Sequence, residues 1–134
     1  MSASTTASQA DRREGSTSTS TPEPVQASST TYEGYRHLRK AKVRRQPDNA
    51  PLRIGPSRSL ATHSRGFEWG YAGSGPAQLS LALLLDYYGD EELALECYQR
   101  FCTKVVSELE GRWTLSGHEI EEAVAEILEV LADE

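Results

Sequence analysis

The sequence predicts an α+β domain: a small N-terminal antiparallel β-sheet or hairpin, then three α-helices, all preceded by a disordered N-terminal tail. Three observations carry this. Residues 1–30 contain fourteen Ser or Thr and, after Met1, one aliphatic side chain larger than alanine, Val25. Such a stretch buries too little apolar surface to offset the roughly 1–2 kcal/mol of backbone entropy lost per ordered residue. Residues 32–54 then scatter Tyr32, Tyr35, Leu38 and Val43 among polar and basic neighbours, as short half-buried strands do. From Pro76 onward the apolar residues recur at three and four, with helix caps between them. A chain of 134 residues suits one folded unit, residues 31–134.

The strands come first. Gln46-Pro47-Asp48-Asn49-Ala50-Pro51 is a turn that joins them, leading into Leu52-Arg53-Ile54. Gly55, Pro56, Ser57 and Ser59 open a further loop. Phe67-Glu68-Trp69 reads as another short strand, with Phe67 and Trp69 on one face and Glu68 on the other.

Gly70-Tyr71-Ala72-Gly73-Ser74-Gly75-Pro76 is a glycine-rich turn into the first helix. Gly75 is expected as its N-cap and Pro76 as its first residue, with Gln78 reaching back to the cap. This helix runs to Tyr88 and stops at Gly89; apart from the stripe Gln78, Ala82, Asp86 it is apolar and buried on most of its circumference. Asp90 caps the second helix, whose expected core face is Leu95, Tyr98, Cys102, Val105 and Leu109, with surface pairs Glu96–Arg100 and Lys104–Glu108 and a stop at Gly111. Ser116 and Glu119 form a capping box for the third, which buries Ile120, Val124, Ile127 or Leu128, and Leu131.

Several function classes lack their residues. The tail has no apolar h-region, and the longest apolar block, Leu79 to Leu85, is far short of the ~20 residues of a membrane helix. A cytoplasmic protein with no membrane partner is expected. Cys97 and Cys102 on one helix point about 140° apart, which suits reduced packing residues. His37, His63 and His118 stand far from each other and from the cysteines, so no metal spacing exists and no cofactor is implied.

Gly70 and Gly75 match the first part of a phosphate-loop spacing, but Pro76 and Ala77 stand where Lys and Ser/Thr are needed. Ser74 is not a nucleophile-elbow serine, since Ala72 and Pro76 replace the required glycines; a helix-capping role suits it better. Glu68 is either a general base or, more simply, an anchor for the loop. Asp86 reads as solvated. No catalytic residue is assigned.

At Phe67 to Leu79 the run Phe67-Glu68-Trp69-Gly70-Tyr71-Ala72-Gly73-Ser74-Gly75-Pro76-Ala77-Gln78-Leu79 closely resembles the signature of a small prokaryotic family of unknown function, members of which also occur in mobile and viral genomes. The resemblance extends to Tyr32-Glu33-Gly34, the Gly89-Asp90 break, Tyr98 with Phe101, and Trp113-Thr114-Leu115, covering residues 32–128. Ala72 departs from the pattern, which has Gly there; a left-handed backbone at that point would be strained by about 1 kcal/mol. The resemblance marks a surface and implies no activity.

Charge divides the chain. Residues 31–66 carry nine Arg or Lys against two acids, net +7; residues 67–134 carry three against fifteen, net −12; the tail adds −1, which gives −6. Two binding surfaces therefore compete. The first is the turn, with Glu68, Trp69, Tyr71, Ser74 and Gln78 as candidates and Trp69 or Tyr71 anchoring a protein partner. The second is the basic stretch Arg36, Arg39, Lys40, Lys42, Arg44 and Arg45, flanked by Tyr32 and Tyr35, which has the make-up of a nucleic-acid footprint. The plainer alternatives are a tight turn that packs Trp69 and Tyr71, and a basic sheet face that meets acidic helices. On sequence alone the turn ranks ahead.

Overall fold

The computed structural model describes residues 29–134. The predicted tail, residues 1–30, falls almost wholly outside them. The domain is α+β, as its pattern predicts. Strands β1 (Thr31–His37), β2 (Lys40–Gln46) and β3 (Ala50–Pro51) precede helices α1 (Gly55–Leu60), α2 (Ser74–Tyr88) and α3 (Glu91–Lys104). A 3-10 turn (Val106–Glu108), strand β4 (Trp113–Ser116) and helix α4 (Gly117–Ala132) complete the chain. The sheet is antiparallel throughout with the order β3-β2-β1-β4, so the last strand in sequence closes against the first.

Side chains alternate across the sheet. Tyr32, Val43, Trp113 and Leu115 face the helices and are buried, while Glu33, Tyr35, Lys42 and Thr114 lie on the other face. Gly34 stands opposite Trp113, and the indole lies on its bare Cα: a Cβ there would sit 2.1 Å from Trp113 Cε2. β4 borders β1 only along Thr31–Gly34, and β3 borders β2 only at Arg44 and Arg45. The part of the hairpin from Tyr35 to Lys42 thus extends beyond the four-stranded body as a two-stranded arm.

That arm departs from expectation. β1 and β2 are joined by Leu38-Arg39, both at positive φ (52° and 71°), the backbone that a tight two-residue hairpin turn demands. Leu38, expected on a half-buried strand, is 83% exposed at the tip. Residues 47–49 turn from β2 into β3 within the predicted turn, but β3 is Ala50–Pro51 rather than the expected Leu52-Arg53-Ile54, which form no strand.

Among the helices, α2 begins two residues earlier than predicted, with Gly73 as N-cap, and stops at Gly89 as predicted. The Asp90 side chain accepts from Leu93 N–H, and the Ser116–Glu119 capping box is complete. The face of α3 is turned from the predicted one: Ala94, Cys97, Tyr98, Phe101 and Cys102 are buried, whereas Leu95 is exposed. The helix ends at Lys104 rather than Gly111. Arg100 pairs with Glu134 and Lys104 with Glu126, so the expected pairs along α3 give way to bridges to α4 and the residues after it. Ile120, Val124 and Ile127 are buried on α4 while Leu128 is exposed, and both cysteines are free and buried.

Candidate functional site

The glycine-rich turn is wired into the fold. Phe67 and Trp69 alternate inward around Glu68 as predicted, although residues 67–69 pair with no strand. Trp69 is only 4% exposed; its Nε1–H donates to Gly111 O (3.1 Å), and its ring meets Trp113 edge-on at 5.4 Å. The Arg36 guanidinium lies 4.6 Å above the same ring and forks onto Glu68 (2.8 and 3.3 Å). Glu68 is therefore a loop anchor. Its partner keeps the arm seated against the turn, and the hydrogen bond to Glu68 raises the Arg36 guanidinium pKa further above its already high ordinary value.

Gln78 does not reach back to the helix start. It is fully buried, and its carbonyl accepts from His63 N–H (2.6 Å) and Ser64 N–H (3.1 Å). Its amide donates to Ser57 Oγ (2.9 Å) and Ala61 O (3.1 Å), so every hydrogen-bonding position is filled. The residue staples α1 and the following loop to α2. Ser74 is the first residue of α2, exposed, and makes no capping bond. Ala72 is not left-handed; the positive-φ residue of this turn is Gly70. Of the five turn candidates, Trp69 and Gln78 are thus core, Glu68 is engaged, and Tyr71 and Ser74 face solvent. The Tyr71 ring is 51% exposed and lies against Gly73, where a Cβ would come within 2.6 Å of it.

The basic stretch is sorted by strand alternation. Arg36 and Arg45 sit on the helix-facing side and are bound to acids: Arg36 to Glu68, and Arg45 to Asp48 (2.7 Å) and Asp86 (2.7 Å). Asp86 is not solvated as expected. Both its oxygens are engaged by Arg45, and Oδ2 also accepts from Tyr32 Oη (2.7 Å). Burial, then that hydrogen bond, push the Tyr32 phenol well above its ordinary range, so it stays a neutral donor. Arg45 and Asp86 line a cavity of about 440 Å³ between β2, α1 and α2, with Leu52, Ala82 and Leu85 as apolar wall. The Asp86 carboxylate at its edge is already engaged by Arg45 and Tyr32.

Lys40, Lys42 and Arg44 lie on the opposite face with His37 and Tyr35. Arg44 donates to Tyr35 Oη (3.0 Å) and Asn49 O (2.9 Å). Among the described residues Arg39, Lys40 and Lys42 have no ion-pair partner. Tyr35, His37, Lys42, Arg44 and Pro51 line a shallow cavity of about 340 Å³ on this face. The fold adds a cation that sequence reasoning missed. Arg112, just ahead of β4, lies 5.4 Å over the Tyr35 ring and bonds Glu33 (3.2 Å). The alternation of Trp113-Thr114-Leu115 was the available signal; only the register to β1 places Arg112 beside Tyr35.

The three histidines remain apart in space. His63 Nε2 bonds Tyr98 Oη (2.6 Å), His118 lies beside Glu122, and His37 is exposed at the end of β1. Among the described residues no group of three or more His, Cys, Asp or Glu side chains is placed to hold a metal, and no helix is long and apolar enough to cross a membrane.

These features define a small α+β domain with helices on one sheet face and a basic, aromatic-bearing face left open. The chain matches the family of unknown function DUF6166 over residues 32–126 and belongs to that family. No curated protein and no solved structure matches it.

Proposed function

We propose that the domain is a non-catalytic binding module whose ligand is nucleic acid, held by phosphate contacts along the basic arm and the adjoining open sheet face. The observation that carries this reading is the sorting of the cations. Arg36 and Arg45 are neutralised on the inner side, while Arg39, Lys40, Lys42 and Arg44 gather on the outer side and tip, without acid partners among the described residues. The acidic helices α3 and α4 belong to the other side of the sheet, so their charge is turned away from a ligand on the open face.

Four phosphate contacts give log K a salt slope of about −3.6 on duplex DNA, or roughly 150-fold weaker binding at 200 mM than at 50 mM salt. Fluorescence anisotropy of the full chain with labelled oligonucleotides measures this directly. Lys40→Glu with Lys42→Glu is expected to abolish binding and leave the melting temperature close to the parent's, since both side chains are exposed. Absence of binding by the parent chain at 50 mM salt would remove the reading.

A second reading keeps the turn as a docking surface for a protein, now anchored on Tyr71 alone, because Trp69 and Gln78 are buried. The ring's seat on Gly73 favours it, since a preset aromatic loses little freedom on binding. Tyr71→Ala separates the two: nucleic-acid affinity is expected to be indifferent to it.

A further inference from the structure

The tip of the arm carries an exposed apolar side chain and a residue pair ill-suited to the turn it forms, and the two coincide. Leu38 is the most exposed large hydrophobic among the described residues, and it makes no part of the core. Leu38 and Arg39 also both hold left-handed backbone, which a β-carbon disfavours and an Asn-Gly pair adopts readily. Neither side chain recovers that cost within the domain, since Arg39 has no hydrogen-bond or ion-pair partner among the described residues. Strain that persists without internal compensation points to a use outside the fold.

The shape of the arm narrows that use. Beyond Gly34 and Val43 its two strands pair only with each other, their inner side seated on Glu68 and Trp69 through Arg36. Arg39 stands at the tip, with Lys40 and Lys42 on the outer face leading back to Arg44. A two-stranded ribbon fits the ~12 Å major groove of B-form DNA, where each base pair shows a distinct edge. The major groove of an RNA duplex is too deep and narrow to admit it.

We propose that the Leu38-Arg39 tip enters the major groove of duplex DNA. Leu38 meets an apolar base edge such as a thymine methyl, Arg39 reaches a base edge or phosphate beside it, and Lys40, Lys42 and Arg44 follow the backbone. This assignment rests on the nucleic-acid reading and specifies which nucleic acid and which end of the arm.

The test uses Leu38→Asn with Arg39→Gly, which installs the residue pair this turn favours. The full-length variant and parent are titrated with a mixed-sequence 20-base-pair DNA duplex, one of its strands, and the corresponding RNA duplex. The parent is expected to prefer the DNA duplex. The variant is expected to melt a few degrees higher and to bind that duplex about tenfold more weakly or worse. Leu38→Asn alone keeps every cation, so it should weaken binding while preserving the salt slope. Unchanged duplex affinity in either variant, equal parental affinity for all three ligands, or a lowered melting temperature in the double variant would each overturn the insertion. If binding is lost only with Lys40→Glu/Lys42→Glu, the basic-face reading survives without it. If the parent binds none of the three at 50 mM salt, both fall.

Discussion

The turn from Phe67 to Gln78 and the arm from Tyr35 to Lys42 lie side by side, joined by Arg36 on Glu68 and Trp69, and they handle polar groups in opposite ways. In the turn, Trp69 and Gln78 are buried and every hydrogen-bonding position on them is filled from within the domain. In the arm, Arg39, Lys40 and Lys42 have no acid partner among the described residues, and the turn residues are strained and exposed. The more distinctive sequence belongs to the region that holds the fold together. The plainer, basic one belongs to the region free to meet something else. A conspicuous motif marks a demanding local structure, and that demand need not be a ligand's.

The contrast is sharpest in stability. Trp69→Ala removes a buried ring that bridges Trp113, Gly111 and Arg36, and it is expected to cost about 3–5 kcal/mol in denaturant unfolding. A loss under 1 kcal/mol would return Trp69 to the surface and restore it as an anchor. Gln78→Leu fills a similar volume but strips partners from His63 N–H, Ser64 N–H and Ala61 O, so a loss of about 1–3 kcal/mol is expected, with the loop before Gly66 exchanging amide hydrogens faster. Unchanged exchange there would show that the loop is held by other contacts. The smallest effect belongs to the arm. Lys40→Glu with Lys42→Glu should shift stability by no more than about 0.5 kcal/mol while removing ligand binding. A large stability loss there would erase the distinction between the two regions.

What could be seen in the sequence followed the range of the interactions involved. The Asp90 cap, the Gly89 stop and the Ser116–Glu119 box depend on residues within one turn of each other, and each forms as predicted. The Leu38-Arg39 hairpin was hidden because neither residue is Gly, Asn or Asp, the types that announce a positive-φ turn. The four residues of β4 alternate, but so short a run does not name its partner, and the strand forms where β1 offers it an edge. On α3 the large Leu95 drew the predicted face away from the true one, where small Ala94 is fully buried beside Cys97 and Phe101 in the core. The candidate site was half visible: the basic stretch could be seen, but which of its cations were neutralised depended on Glu68 and Asp86, partners 32 and 41 residues away.

The pairing of β4 with β1 also sets an order of assembly. Thr31 meets Ser116, so the central strand lacks one neighbour until nearly the whole domain has been made, and closing that pair carries the entropy of the long loop between. The β1–β2 hairpin has no such delay, since His37 faces Lys40 across two residues. The basic arm therefore takes its shape from neighbours in the chain, while the body beneath it is complete only when the last strand arrives.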